Sequence, residues 1–287
     1  MKKLLIIGSK GMAGHMLQYY FSAQKDFDVY AIARNIPEND KNFSIDVSDT
    51  QKVEALLHTH LFDIVVNCIG ILNKDAEDNP SKAVWFNSYF PHFLEEITKD
   101  SKTKVVHIST DCVFSGKKGG YTENDFKDGI GFYAQSKALG EIENTKDVTV
   151  RTSIVGPELN PNGIGLLHWF LSQPLHSTLN GYSHAYWTGL TTLELAKVIH
   201  EIINQSITGL IQVVPSQKIN KYELLQLFNS IFRDNQLEIL SYDAYHVDKS
   251  LLFSRQDFNY TVPSYEAMLV DLKNWMLRYS SYSNYSL

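Results

Sequence analysis

Tyr133 and Lys137 stand four residues apart in Tyr133-Ala134-Gln135-Ser136-Lys137. On a helix that spacing puts both side chains on one face. An ammonium beside a phenol favours the phenolate and lowers the hydroxyl pKa from about 10 toward a working range. Such a pair can give a proton to a carbonyl oxygen that receives hydride. Tyr-x-x-x-Lys alone is common on solvated helix faces, so position decides its meaning. Here it follows, by one loop, an apolar run ending Ser109-Thr110-Asp111. A hydroxyl there, on Thr110, would hold the carbonyl beside Tyr133.

A second constellation is Gly8-Ser9-Lys10-Gly11-Met12-Ala13-Gly14, directly after an apolar run and at the start of a helical pattern. Gly8, Gly11 and Gly14 permit a tight turn and let a pyrophosphate approach the backbone. Met12 stands where the helix offers free N–H groups and its positive dipole end. The spacing is GxxGxxG rather than GxGxxG. The plain alternative is a glycine-rich turn without a ligand, but the strand–turn–helix setting favours a dinucleotide. NAD sites usually place an acid about 20 residues beyond the glycines, on the ribose. The second strand instead ends Ala33-Arg34-Asn35. Arg34 can pair bidentately with a 2′-phosphate, and Lys10 adds a second charge. NADPH is therefore expected ahead of NADH, with Asp46 and Val47 flanking the adenine. The bland reading of Arg34 and Lys10 is solvated surface charge.

These groups need a scaffold, and the chain supplies a regular one. Apolar runs at 3–7, 28–33, 63–67, 104–109 and 147–152 alternate with helical patterns at 12–22, 49–59, 80–98 and 132–145. Continuous apolar strands between helices predict an α/β fold, a parallel sheet covered on both faces. Right-handed crossovers make it doubly wound. Beyond Gly156 the pattern loosens into a segment rich in proline and glycine. A helix at 190–205 and a strand at 210–214 return to the sheet, and helices follow at 220–232 and 264–278. The closing SSYSNYSL reads as a frayed tail. The expected organisation is a dinucleotide-binding domain over 1–155, rejoined by 188–214. A substrate lobe of 156–187 and 215–287 would lie over the sheet's carboxyl edge.

Composition sets outer limits. Of 287 residues, 44% are hydrophobic and 20% charged, which is ordinary for a globular chain. A net charge of −6 without a basic block argues against a nucleic-acid partner. Cys68 and Cys112 could form at most one disulfide, so no secreted staple framework is implied. The histidines fall in no metal-ligand spacing. The apolar run after Lys3 stops at Gly8, too short for a signal peptide, and no run approaches the ~18–20 residues of a membrane span. A cytoplasmic protein without a metal is expected.

The glycines, Thr110, Tyr133 and Lys137 match the extended short-chain dehydrogenase/reductases. Ser109-Thr110-Asp111-Cys112-Val113-Phe114-Ser115-Gly116, Tyr133 through Glu141, and Arg151-Thr152-Ser153 are closer still. Together they resemble the dTDP-4-dehydrorhamnose reductase family, whose patterns run STDYVFxG, YGxxKxxGE and RTS. The resemblance covers residues 3 to about 155 and continues more loosely beyond. It implies a Rossmann domain and NADPH-dependent reduction of the 4-keto group of a nucleotide-linked deoxysugar, in cell-surface polysaccharide precursor synthesis. It makes Tyr133 the acid, with Lys137 its partner and a ligand of the nicotinamide ribose. Thr110 orients the keto oxygen, and Asn87 supports the lysine through water. Cys68 and Gly70, in an Asn-x-x-Gly segment, would border the cofactor. Asp111, Cys112, Ser153, Ile154, Tyr182 and Trp187 would border the sugar nucleotide.

The sequence also departs from that family. Cys112 replaces a tyrosine, Ile154 stands where tryptophan is usual, and Asn67-Cys68-Ile69-Gly70 replaces Asn-Ala-Ala. A UDP-linked 4-keto N-acetyl sugar is therefore an alternative substrate. Rival functions are a sugar-nucleotide epimerase or dehydratase, which keep NAD, and a non-catalytic regulatory subunit. Assembly as a homodimer stays open.

Overall fold

The computed structural model describes residues 1–283 and 285. Chain order is β1 (Lys2–Ile7), α1 (Met12–Ser22), β2 (Phe27–Ala33), β3 (Asn42–Ser44), α2 (Thr50–His60), β4 (Ile64–Asn67), α3 (Asn73–Asp78), α4 (Pro80–Val84), a π-helical turn (Trp85–Tyr89) and α5 (Phe90–Thr98). Next come β5 (Lys104–Thr110), a 3₁₀ turn (Asp111–Val113), α6 (Phe132–Leu139), β6 (Val148–Thr152), β7 (Ile154–Val155), α7 (Leu166–Leu171), β8 (Thr178–Trp187) and β9 (Leu190–Thr191). The chain closes with α8 (Thr192–Asn204), β10 (Gly209–Gln212), β11 (Ile219–Asn220), α9 (Lys221–Arg233), β12 (Glu238–Asp248), α10 (Tyr265–Met276) and a 3₁₀ turn (Ser280–Tyr282).

Seven parallel strands form the main sheet in the order β10-β6-β5-β4-β1-β2-β3. The order reverses between β1 and β4, the place where open α/β sheets bind ligands. Alternate residues of one strand serve opposite cores. Leu4 and Ile6 pack with Leu17 and Phe21 of α1 and Leu195, Ile199 and Ile202 of α8. Leu5 and Ile7 pack with Val53 and Leu57 of α2 and Phe90 and Leu94 of α5. Both faces are covered, which is why these strands read as unbroken apolar runs. A second sheet, β11-β8-β12, packs against α9. Its outer strand, β12, is mostly exposed and carries no apolar alternation, so the sequence pattern had not revealed it. Among the described residues no helix is long and apolar enough to cross a membrane.

Two predicted helices are shorter or less regular than expected. The 80–98 helix is interrupted at Trp85–Tyr89 by a π turn, which buries Asn87 and Ser88. The 132–145 helix ends at Leu139. At Gly140 a Cβ would stand 1.8 Å from the carbonyl oxygen of Asn87, so only glycine lets α6 close onto the π turn. The frayed tail is also overturned for the described residues. Tyr282 and Tyr285 are buried. Tyr282 hydroxyl meets His15 Nε2 at 2.9 Å, and Tyr285 hydroxyl meets His168 Nδ1 at 2.6 Å.

A buried ion pair joins α6 to the sheet. Glu141 Oε2 accepts from Arg151 Nη2 at 2.7 Å, and Oε1 accepts from Arg151 Nε at 2.9 Å and from Ser109 Oγ at 2.7 Å. Arg151 also lies over the Phe114 ring, 5.0 Å from its centre. Removing one partner of such a pair strands a buried charge. Glu141→Ala should cost about 3–5 kcal/mol of unfolding free energy. The double change Glu141→Leu with Arg151→Met should recover most of it. Urea unfolding of the three proteins checks this, and an unaffected Glu141→Ala would contradict it.

Candidate active site

The carboxyl ends of β1, β4, β5 and β6 face α7, α9 and β8 across a cavity of ≈ 770 Å³. Gly11, Met12 and Ala13 border it from α1, and Cys68, Ile69 and Gly70 from the loop after β4. Thr110, Asp111, Cys112, Tyr133, Lys137, Ser153 and Ile154 line the centre. Tyr182, Glu158, Trp169, Asn180, Lys221 and Leu225 come from the opposite side. Most of the predicted residues therefore meet in one place. The last five are additions that no sequence pattern had marked.

Thr110 ends β5, and its Oγ1 accepts from Cys112 N at 3.1 Å, shaping the 3₁₀ turn that follows. The same hydroxyl donates to Asp111 Oδ1 at 3.1 Å and faces the Tyr133 side chain. Tyr133 is held from two sides. Glu77 of α3 caps α6, accepting from Phe132 N at 3.0 Å and Tyr133 N at 3.1 Å. A carboxylate there also meets the positive end of the helix dipole. Gly131 sits at φ +93°, and a Cβ on it would reach within 2.6 Å of Glu77 Oε1.

Tyr133 and Lys137 share a helix face, but the expected coupling between them is absent. Lys137 Nζ donates to Ile108 O at 2.7 Å and lies 3.4 Å from His107 Nε2. His107 is itself met by Asn67 Nδ2 at 3.2 Å. Lys137 reaches past the tyrosine to the strand, so its charge does not lower the phenol. Burial, reinforced by Cys112 and Asp111, raises the Tyr133 hydroxyl above its ordinary value, against the neighbouring Thr110 hydroxyl. Burial lowers Lys137 to about 8, opposed by Glu141. Tyr133 is thus a protonated donor at rest.

The glycine cradle fits a dinucleotide diphosphate. Gly11 caps α1 without any side-chain hydrogen bond, which leaves the first helical N–H groups open toward the cavity. A Cβ on Gly14 would stand 2.1 Å from Gly8 O. Lys10 reaches the tip of β2, where its Nζ contacts Asn35 O at 3.5 Å. Arg34 is exposed and lies 3.8 Å from Asp46, a pairing too solvated to hold it strongly.

Three predicted residues stand elsewhere. Asn87 is buried behind the cavity: its Oδ1 accepts from Ile71 N at 2.8 Å, and its Nδ2 donates to Ile71 O at 2.9 Å and Ser136 Oγ at 3.0 Å. It fastens the β4 loop to α6. Val47 is buried in the core between the sheet and α2. Trp187 is packed in the lobe core with Phe228 and Leu225, its ring 5.8 Å from Tyr265. Strand alternation explains the last case, because Tyr182 and Trp187 are an odd number of positions apart and face opposite sides.

A family model described as the RmlD substrate binding domain matches residues 1–229. The chain belongs to that family. Among relatives of this RmlD family member, the probable low-salt glycan biosynthesis reductase Agl14 of Haloferax volcanii is 36% identical over 99 residues, 34% of this chain and 33% of that protein. The dTDP-4-dehydrorhamnose reductase of Aggregatibacter actinomycetemcomitans is 28% identical over 160 residues, 53% of this chain and 51% of that one. The chain thus spans a third to about half the length of these curated relatives. A solved dTDP-4-dehydrorhamnose reductase of Bacillus anthracis, in complex with NADP, superposes with a TM-score of 0.82 over 96% of this chain and 99% of that one. At 19% identity that likeness shows the fold.

The RmlD-family chain can be tested at its corrected residue. Trp187→Ala should lose about 3–5 kcal/mol of stability, as for other buried aromatics. Thermal melting checks it, and an unchanged melting temperature would return Trp187 to the cavity wall.

Proposed function

We propose that this chain is an NADPH-dependent reductase of the 4-keto group of a nucleotide-activated deoxysugar, acting in the synthesis of cell-surface polysaccharide precursors. The observation that carries the reading is the meeting of two hydroxyl residues, Thr110 and Tyr133, in the cavity that the uncapped start of α1 also borders. When bound, NADPH supplies hydride to the carbonyl carbon. The start of α1 would hold the diphosphate, Lys10 and Arg34 the 2′-phosphate, and Lys137 the nicotinamide ribose. Family membership supports these assignments.

Thr110 and Tyr133 would both donate to the substrate's keto oxygen, fixing it over the cofactor side of the cavity. Tyr133 then gives its proton as the oxygen gains charge. Its raised pKa ensures that the proton is present beforehand. Lys137, at about 8, is largely charged at neutral pH and stabilises that transfer electrostatically. The 3₁₀ turn places a thiol, Cys112, after Thr110-Asp111, and burial raises it to about 11. A neutral thiol cannot do the carboxylate work of an eliminating dehydratase, which favours the reductase reading.

Tyr133→Phe removes the proton and keeps the ring. With a panel of nucleotide 4-keto sugars, NADPH oxidation should fall by about 10²–10⁴-fold, the usual worth of a general acid. NADPH affinity, followed by its fluorescence, should hold. Near-normal turnover in Tyr133→Phe, or no oxidation with any member of the panel, would overturn the proposal.

A further inference from the structure

Lys221 is the first residue of α9 and reaches into the cavity wall opposite Asp111 and Cys112. Its ammonium lies 4.5 Å from the centre of the Trp187 ring. Among the described residues, no carboxylate or carbonyl oxygen accepts from it. A partly buried ammonium without an acceptor is poorly solvated, and an aromatic face replaces only part of the lost hydration. Burial accordingly lowers Lys221 to about 8, against the field of Asp111 and Cys112.

A second cation stands nearby. Lys249 lies in the field of Cys112 and Asp111. Asp111 is buried, and its carboxyl is raised above the usual range. Cys112 is neutral. The charged residues lining the cavity are Lys137 and Lys221 with Asp111 and Glu158, and of these Lys221 is the cation that has no acceptor among the described residues.

We propose that Lys221 is an anion subsite that seats a phosphate or carboxylate group of the substrate beside the reacting carbonyl. The inference rests on the reductase reading only for the direction in which the substrate lies. An anion completes the hydrogen bonds that the fold withholds from Lys221, and Trp187 fixes the ammonium for it. The source is either the diphosphate of the nucleotide or an acid group on the sugar.

Calorimetric titration of the full chain with thymidine diphosphate, uridine diphosphate and glucuronate tests this, using Lys221→Met and Lys221→Arg. The methionine keeps the apolar stem over Trp187. If the diphosphate is the source, both nucleotides should bind Lys221→Met about 10–100-fold more weakly, as expected for losing one partner of a desolvated charge pair. If a sugar acid is the source, glucuronate alone should weaken. In either case Lys221→Arg should restore much of the affinity, and NADPH affinity should hold. The melting temperature of ligand-free Lys221→Met should hold or rise, because an unpaired, partly buried charge has been removed. The proposal is overturned if Lys221→Met binds all three anions as the native chain does. It is equally overturned if weaker binding accompanies a lowered melting temperature that arginine does not repair. Neither result touches Tyr133-dependent NADPH oxidation, which is measured separately.

Discussion

Glu141 connects the helix that carries Tyr133 to the strands that carry Thr110 and Ser153. Its two oxygens are shared among Arg151 of β6, Ser109 of β5 and Lys127, whose Nζ lies 3.0 Å away. Such a pair contributes little net stability compared with a well-packed apolar replacement. Its value is directional: two bonds from one guanidinium fix the end of α6 relative to β5 and β6. Asn87, Ser88 and Glu77 hold the rest of the helix, and Ser88 Oγ donates to Ser136 O at 2.7 Å. The meeting of Tyr133 and Thr110 is the product of that bracing.

The cavity sets groups that burial keeps neutral beside two lysines. Tyr133, Cys112 and Asp111 are all pushed toward their protonated forms by burial, while Lys137 and Lys221 are both lowered to about 8. These shifts share one cause, desolvation, which makes charge expensive and charge-assisted contacts strong. A carbonyl oxygen gaining negative charge is stabilised by such surroundings. The same low polarity gives the lysines their appetite for anions.

The parallel sheet was legible because both of its faces are buried, so its strands are written as continuous apolar runs. The glycine turn was legible because Gly8 takes a left-handed φ and Gly14 lets α1 approach it closely. That Tyr133, Lys137 and Thr110 meet at one cavity was legible from spacing and strand position. The pairing of Glu141 with Arg151 was hidden because its partners belong to separate motifs that meet only in the fold. Lys221 was hidden for a similar reason: the capping box of Asn220 and Glu223 marks a helix start but not the cavity it faces. Trp187 and Val47 were misplaced because an aromatic or apolar residue near a site has the same signature as one in a core. Tyr282 and Tyr285 were misread because their polar neighbours suggested a loose end, whereas His15 and His168 offer them buried partners.

The central claim is that the cavity brings a nicotinamide and a keto carbon together beside Tyr133. Isotope transfer measures this directly. With NADPH deuterated at the reactive nicotinamide carbon and a nucleotide 4-keto sugar, the account predicts one deuterium on the sugar's fourth carbon in the product. Deuterium retained in the cofactor, or found at another sugar carbon, would contradict it.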